Sequence, residues 1–549
     1  MLCAVHAKPS ANTATAMPDV AVAVIFSDRW RIAQRGHCGE DGSMDATNQP
    51  TATRSPAQSS ALGSIWLRRL SSFWLLDLLA LATFVWLTPR LIVHFGAAEF
   101  GMLAVAQSLV GYLGLVDLGL RPSLSRMVTA RRAMGEEAEV HRLLSTAFAW
   151  LAPAALLVGC AAWWAAGQTA SLGPALGLSE ESAMRVAPFL GLKGTELAVE
   201  LLLSPLLAAN AAGGRLAQVN LLRAGHRLVG MAAGVATVVY ALPLTTLALA
   251  SLVATAASAV AHLWMVRRDL PGFFPRPSQL DRAHARELLG LASQTTLGSM
   301  VMLVAFRSDA LVIAGTLGTA AVALYAPLFQ WAETAMRWTA RIGAAVVPEF
   351  TAHVVRQESG PASGLYGTML ERSLLIALLG AIPVAAVGEL AASRWLGGEV
   401  PLALTVMLAL LLVVHLPVSV SARYQLAQGR LWSATMVSVA SGLLNLGLSL
   451  LLVRPFGLAG VAAGTVISQA VTVMPHHTLA AMRGLGLTAR GFLLPLLARV
   501  LLASIPMVVV AGCWRWSWLR FGEAAIVSGA LATAVTGLML VWLAMRRGS

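Results

Sequence analysis

Charge is scarce in this chain. Of its 549 residues only 12% are Asp, Glu, Lys or Arg, against about 25% in an ordinary soluble domain. That shortage excludes a conventional soluble enzyme. Cysteine is scarce too. Cys3, Cys38, Cys160 and Cys513 show neither metal-ligand spacing nor a paired framework, so a zinc module and a disulfide scaffold are both excluded. A Walker loop is missing, and with it an ATP site. The period-two alternation of an outer-membrane barrel is missing as well. What is present is apolar: 57% hydrophobic residues and a mean hydropathy of +0.72. The formal charge of +13 is carried by arginines between apolar runs. It reads as the positive-inside bias of a membrane protein, not as a nucleic-acid surface.

The expected fold is an all-α integral membrane protein. A helix needs roughly 20 apolar residues to cross a hydrocarbon core, and about fourteen stretches qualify. They fall near 71–94, 100–120, 143–166, 184–209, 216–241, 243–266, 288–317, 319–347, 371–392, 401–422, 432–453, 457–480, 492–513 and 523–545. Arg121, Arg126, Arg131, Arg132 and Arg142 follow the second span, and Arg267, Arg268, Arg276, Arg282 and Arg286 the sixth. The alternate loops are poor in Lys and Arg; the longest, 167–183, carries only Glu180 and Glu181. This bias predicts a multi-pass protein with both termini in the cytoplasm.

Residues 1–60 are rich in Ala, Thr, Ser, Pro and Asn. They read either as a disordered cytoplasmic tail or as sequence upstream of a start at Met44. Gly214-Arg215-Leu216 recurs as Gly429-Arg430-Leu431, 215 residues later. The repeat predicts an N-lobe over 61–286 (helices 1–6), a parallel C-lobe over 287–485 (helices 7–12), and two appended helices over 486–549. Parallel repeats are a transporter architecture with the substrate path between the halves.

Ionisable residues inside these runs are the functional candidates, because each costs about 2.5–3.5 kcal/mol to insert and by default faces a bundle interior or a watery cavity. The stretch Glu287–Phe350 is the richest. Glu333, Arg337 and Arg341 are spaced i, i+4, i+8 and share a helical face that Gln330 extends. Arg307 and Asp309 are two apart and point to different faces. Lys193, Glu196 and Glu200 share a face of the fourth span, Arg223 and Arg227 a face of the fifth, and Arg90 follows Pro89 in the first. Buried carboxylates such as Glu196 and Glu200 suit coupling to H+ or Na+. Each feature also has a structural reading: an i, i+4 pair, a neutralised cluster, or an arginine snorkelling to the interface.

Three stretches carry a family resemblance: TPRLIVHFGAAEFGMLAVAQSLVGYLGLVDLGL from Thr88, RSDALVIAGTLGTAAVALYAP from Arg307, and LNLGLSLLLVRPFGLAGVAAGTVISQA from Leu444. Together they resemble the polysaccharide-transporter branch, the Wzx-type flippases, of the multidrug/oligosaccharidyl-lipid/polysaccharide (MOP) exporter superfamily. The resemblance implies a MATE-like fold and a non-enzymatic, cofactor-free flippase. Its cargo would be an undecaprenyl-diphosphate-linked oligosaccharide for O-antigen, capsule or exopolysaccharide synthesis in a bacterial inner membrane. The implied partners are that lipid-linked oligosaccharide, membrane lipids, and a polysaccharide polymerase with its chain-length regulator; nucleic acid is not among them. A diphosphate suits arginine's planar fork. Arg337 and Arg341 are the expected receivers, with Arg307, Arg90, Arg223, Arg227 and Lys193 lining the same cationic cavity. Glu333, Glu196, Glu200 and Asp309 are expected to pair charges or couple an ion. The rivals are a multidrug/cation antiporter of the same superfamily and a membrane polysaccharide polymerase or ligase.

Overall fold

The computed structural model describes residues 77–546 other than 114–119, 277–280, 429, 430 and 523, with side chains omitted over further short stretches, among them 291–307 and 340–345. The tail over 1–60 and the side chains of Arg307 and Arg341 therefore lie outside the described residues.

The described chain is helical throughout. The first half contains α1 (Asp77–Phe95), α2 (Ala97–Leu113), α3 (Leu120–Ala133), α4 (Glu137–Gly167), α5 (Glu180–Ala212), α6 (Leu216–Val239) and α7 (Thr245–Asp269). The second contains α8 (Arg282–Leu317), α9 (Thr319–Ala345), α10 (Val347–Val355), α11 (Ser359–Leu396), α12 (Leu402–Ala427), α13 (Leu431–Ser468) and α14 (Met474–Gly484). Then come α15 (Leu494–Phe521) and α16 (Ala524–Arg546). Seven described helices are long and apolar enough to cross a membrane. The protein is an all-α integral membrane protein.

The element α13 is not one rod. Gly457 has φ 56° and ψ −137°, a conformation glycine alone adopts readily. A Cβ placed on Gly464 would stand 2.9 Å from the Ser449 backbone N, and one on Gly460 would stand 2.1 Å from the Leu452 carbonyl oxygen. In a straight helix residues fifteen apart are about 22 Å apart. The chain therefore doubles back at Gly457, and the segments before and after it pack as an antiparallel hairpin.

Packing divides the molecule by end. Near the Arg-poor loops one core is shared: Met102, Leu178, Leu244, Ile313, Leu396 and Leu458 belong to a single buried cluster. At the Arg-rich end there are two separate cores. One gathers Leu124, Leu143, Leu207 and Val266. The other gathers Phe350, Tyr366, Tyr424 and Leu496. The halves approach most closely on the shared side, where a Cβ on Gly101 of α2 would fall 1.7 Å from the Thr319 carbonyl oxygen at the start of α9. The molecule is thus fused at one end and divided at the other. Within a bilayer such cores are held by close van der Waals packing and interhelical hydrogen bonds, since lipid chains are as apolar as the side chains they replace.

Candidate functional site

The helix α9 buries Val322, Tyr325, Phe329, Ala332 and Met336, a 3.6-residue period that defines its packed face. Gln330, Glu333 and Arg337 lie on the flank of that face. The Arg337 Nη1 is 2.9 Å from Glu333 Oε1, and the Arg337 side chain is 46% exposed. Its Nη2 donates to Thr334 Oγ1 at 2.8 Å. The pair is thus held within one helix, with the charge still accessible. By backbone position Arg341 continues the same flank one turn on.

The neighbouring helix α8 presents a second polar centre. Asp309 is 1% exposed. It accepts hydrogen bonds from Tyr325 Oη of α9 at 2.6 Å, Thr465 Oγ1 at 3.1 Å and Asn445 Nδ2 at 3.4 Å. Asn445 and Thr465 come from opposite arms of the α13 hairpin, so the turn at Gly457 is what brings them together. Ser449 adds a hydroxyl that donates toward Asn445 Oδ1 and the Val461 carbonyl. The described donors to Asp309 are all uncharged. Such an oxygen-rich set suits a proton or a small hard cation rather than a soft metal. Among the described residues no three His, Cys, Asp or Glu side chains converge on a metal position.

In the first half two of the expected cations are paired with carboxylates. Lys193 Nζ donates to Glu196 Oε2 at 2.5 Å. Ser251 Oγ of α7 donates to the other carboxylate oxygen at 2.5 Å. Arg227 Nη1 of α6 donates to Asp77 Oδ1 of α1 at 3.3 Å. Arg223 and Glu200 lie on the faces expected of them, the first exposed and the second half-buried. Arg90 folds onto its own helix: its Nη1 donates to the Trp86 carbonyl at 2.7 Å, and its guanidinium stands 4.2 Å over the Trp86 ring. That is the posture of an interfacial arginine. The structure joins the expected residues in separate groups, with Lys193 and Glu196 between α5 and α7, Asp77 and Arg227 between α1 and α6, and Glu333 and Arg337 on α9.

Several contacts escaped sequence reasoning. Glu99, in the first turn of α2, is buried and accepts from Arg185 Nε at 2.8 Å and Ser182 Oγ at 2.9 Å. Trp395 Nε1 of α11 donates to the Val85 carbonyl of α1 at 2.8 Å, and its ring packs against Phe84 and Trp331. Arg515 of α15 reaches the Ala386 carbonyl at 2.6 Å and Glu389 at 2.7 Å, docking that helix on α11. Only an acidic residue inside an apolar run, as at Glu99 and Glu389, could have signalled any of these in advance.

Two further pairs stand in the register of the sequence repeat. Asn210 Nδ2 donates to the His262 carbonyl at 3.1 Å. Gln425 Nε2 donates to the His477 carbonyl at 3.1 Å. In each an amide reaches a histidine 52 positions later, and the two pairs lie 215 residues apart.

Comparison with known proteins places this geometry. Residues 70–353 match the family model described as polysaccharide biosynthesis protein. The chain belongs to that family. Among solved structures it is similar to the lipid II flippase MurJ in an inward closed conformation, with a TM-score of 0.63 and 10% identity over 86% of this chain and 99% of that one. It is also similar to an inward-facing multidrug resistance MATE transporter of the MOP superfamily, with a TM-score of 0.59 and 13% identity over 74% of this chain and 93% of that one. These relatives are transporters and flippases rather than enzymes. No curated protein matches the sequence. The family member described here therefore has the MOP-superfamily fold.

Proposed function

We propose that this protein is a flippase that carries a lipid-diphosphate-linked oligosaccharide across a bacterial inner membrane, serving O-antigen, capsule or exopolysaccharide synthesis. The observation that carries the reading is the Glu333–Arg337 pair. It is a partly accessible guanidinium on the flank of a packed membrane helix, in a chain of a polysaccharide biosynthesis family whose fold resembles that of a lipid flippase. An accessible guanidinium with one carboxylate partner can exchange that partner for a diphosphate by bidentate, charge-assisted hydrogen bonds. In this reading Arg337 releases Glu333 as cargo binds, and Arg341, Arg307, Arg223 and Arg227 extend the cationic path. The lobes 61–286 and 287–485 rock about the shared core, the helices of 486–549 ride on the second, all fourteen spans cross, and both termini face the cytoplasm. A polymerase and its chain-length regulator then act on the delivered cargo.

Coupling falls to Asp309 in preference to Glu196 and Glu200. The Glu196 charge is already balanced by Lys193. Asp309 has uncharged donors among the described residues, so binding H+ or Na+ would neutralise it.

The test is made in the parent strain. Arg337→Ala and Arg341→Ala should each deplete surface polysaccharide and raise lipid-linked intermediate, as counted by mass spectrometry of extracted lipids. If both quantities stay at the parental level in both variants, the diphosphate assignment is wrong. Restored drug efflux with unchanged lipid intermediates would favour the antiporter reading instead.

A further inference from the structure

At the divided, Arg-rich end, one of the contacts that tie the start of α8 to the first half is made by an imidazole. His284, in the first turn of α8, has a side chain only 7% exposed. Its Nε2 lies 3.1 Å from Glu139 Oε2, in the first turn of α4. Its Nδ1 lies 2.9 Å from Asp281 Oδ2, the residue that caps α8. The two carboxylates sit on opposite sides of the ring, so they cannot converge on one metal ion. They can only share an imidazole between them.

The chemistry of that arrangement depends on the proton count. An imidazolium donates from both nitrogens and faces an anion on each side. A neutral imidazole has one N–H, so one of the two carboxylates must then face a lone pair at about hydrogen-bond distance. The Nδ1 contact is close but is not aligned as a hydrogen bond. Asp281 stays ionised across the neutral range, because the Ala283 backbone N–H and then His284 itself hold its carboxyl below the usual carboxylate range. Glu139 has a second partner in Arg142 Nη1 at 3.0 Å. Farther out stand Arg131, paired with Glu136, and Glu287, whose field reaches Arg131. Glu139 can therefore leave the imidazole for Arg142 without becoming unpaired. One tie does not titrate: the Asp281 backbone N–H donates to Thr146 Oγ1 at 3.2 Å.

The position gives the contact leverage. The helix α8 straddles the molecule. Leu288, one turn after His284, is buried in the core of the first half, whereas Ile313 near its far end belongs to the shared core. We propose that Glu139, His284 and Asp281 form a proton-sensitive strap, closed on the imidazolium and open on the neutral ring, that fastens the start of α8 to α4. Imidazole is the side chain whose unperturbed charge changes between about pH 5 and 8. Acidification tightens this end of the molecule, and a rise in pH frees it. The device does not depend on which cargo is carried, so its failure and that of the flippase reading are distinguishable.

The experiment measures a distance and needs no transport assay. Nitroxides are placed on Ala138→Cys and Ala283→Cys, both exposed, in the full chain with its four native cysteines replaced by serine and reconstituted in lipid vesicles. Between pH 5.5 and 8.5 the fraction at the short separation should fall at least threefold. His284→Gln should hold one distribution at every pH, and Glu139→Gln, which keeps size and shape, should do the same. An unchanged distribution across that range in the otherwise native chain overturns the proposal. So does an undiminished response in either Gln variant that elutes as a folded species on size exclusion.

Discussion

Glu196 in the first half and Asp309 in the second are both buried carboxylates, yet they are neutralised in opposite ways. Glu196 has an ammonium at 2.5 Å and a hydroxyl on its other oxygen. Asp309 has a phenol, a carboxamide and a hydroxyl. The first arrangement is closed, because its charge is balanced within the protein whatever the surroundings. The second has only uncharged partners among the described residues. The two carboxylates are not equivalent under the 215-residue repeat, so the contrast is one of position and not of one site that diverged. The Asn210–His262 and Gln425–His477 pairs are equivalent under it and keep the same architecture in both halves.

The largest test of this contrast is Glu196→Ala. Removing one partner of a buried pair leaves Lys193 uncompensated and should cost about 3–5 kcal/mol, read as a large fall in detergent-solubilised melting temperature. The double change Lys193→Met with Glu196→Met should recover most of that loss. Next come the matched locks. Asn210→Leu and Gln425→Leu should each cost about 1–3 kcal/mol through unsatisfied buried groups, and by similar amounts. A lock that proves silent would show that the two pairs only look equivalent. Asp309→Asn inverts the pattern. Its stability cost should be about 1 kcal/mol, one altered hydrogen bond, while the dependence of transport on H+ or Na+ disappears. If that dependence survives, coupling lies elsewhere. Smallest is Arg515→Gln, which loosens a partly exposed ion pair and should cost less than about 1 kcal/mol.

Much of the scaffold was legible because membrane helices announce themselves by length and hydropathy. A helix stands over each expected span, with starts and ends displaced by several residues. The division expected between 432–453 and 457–480 corresponds to the reversal at Gly457, two residues after Pro455. Glu333 and Arg337 were legible as a pair because i, i+4 spacing is a local property. The Asp309 surroundings were not, since Tyr325, Asn445 and Thr465 are 16, 136 and 156 positions away and no local period links them. Arg90 shows the converse. An arginine beside a proline within an apolar run suggested a cavity, and the structure turns it onto Trp86 because a charge near a helix end satisfies itself most cheaply on its own turn.

The sequence by itself determined that this chain is a bundle of membrane helices, roughly where each lies, and which residues share a helical face, because those properties depend on neighbours within a few residues. Only the tertiary structure decided which distant groups meet. Whether Glu196 finds the Ser251 hydroxyl, Asp309 a ring of neutral donors, or His284 the Glu139 carboxylate depends on helix crossings between distant segments. Those crossings follow from packing small residues such as Gly101 and Gly464 against a backbone that no local pattern identifies.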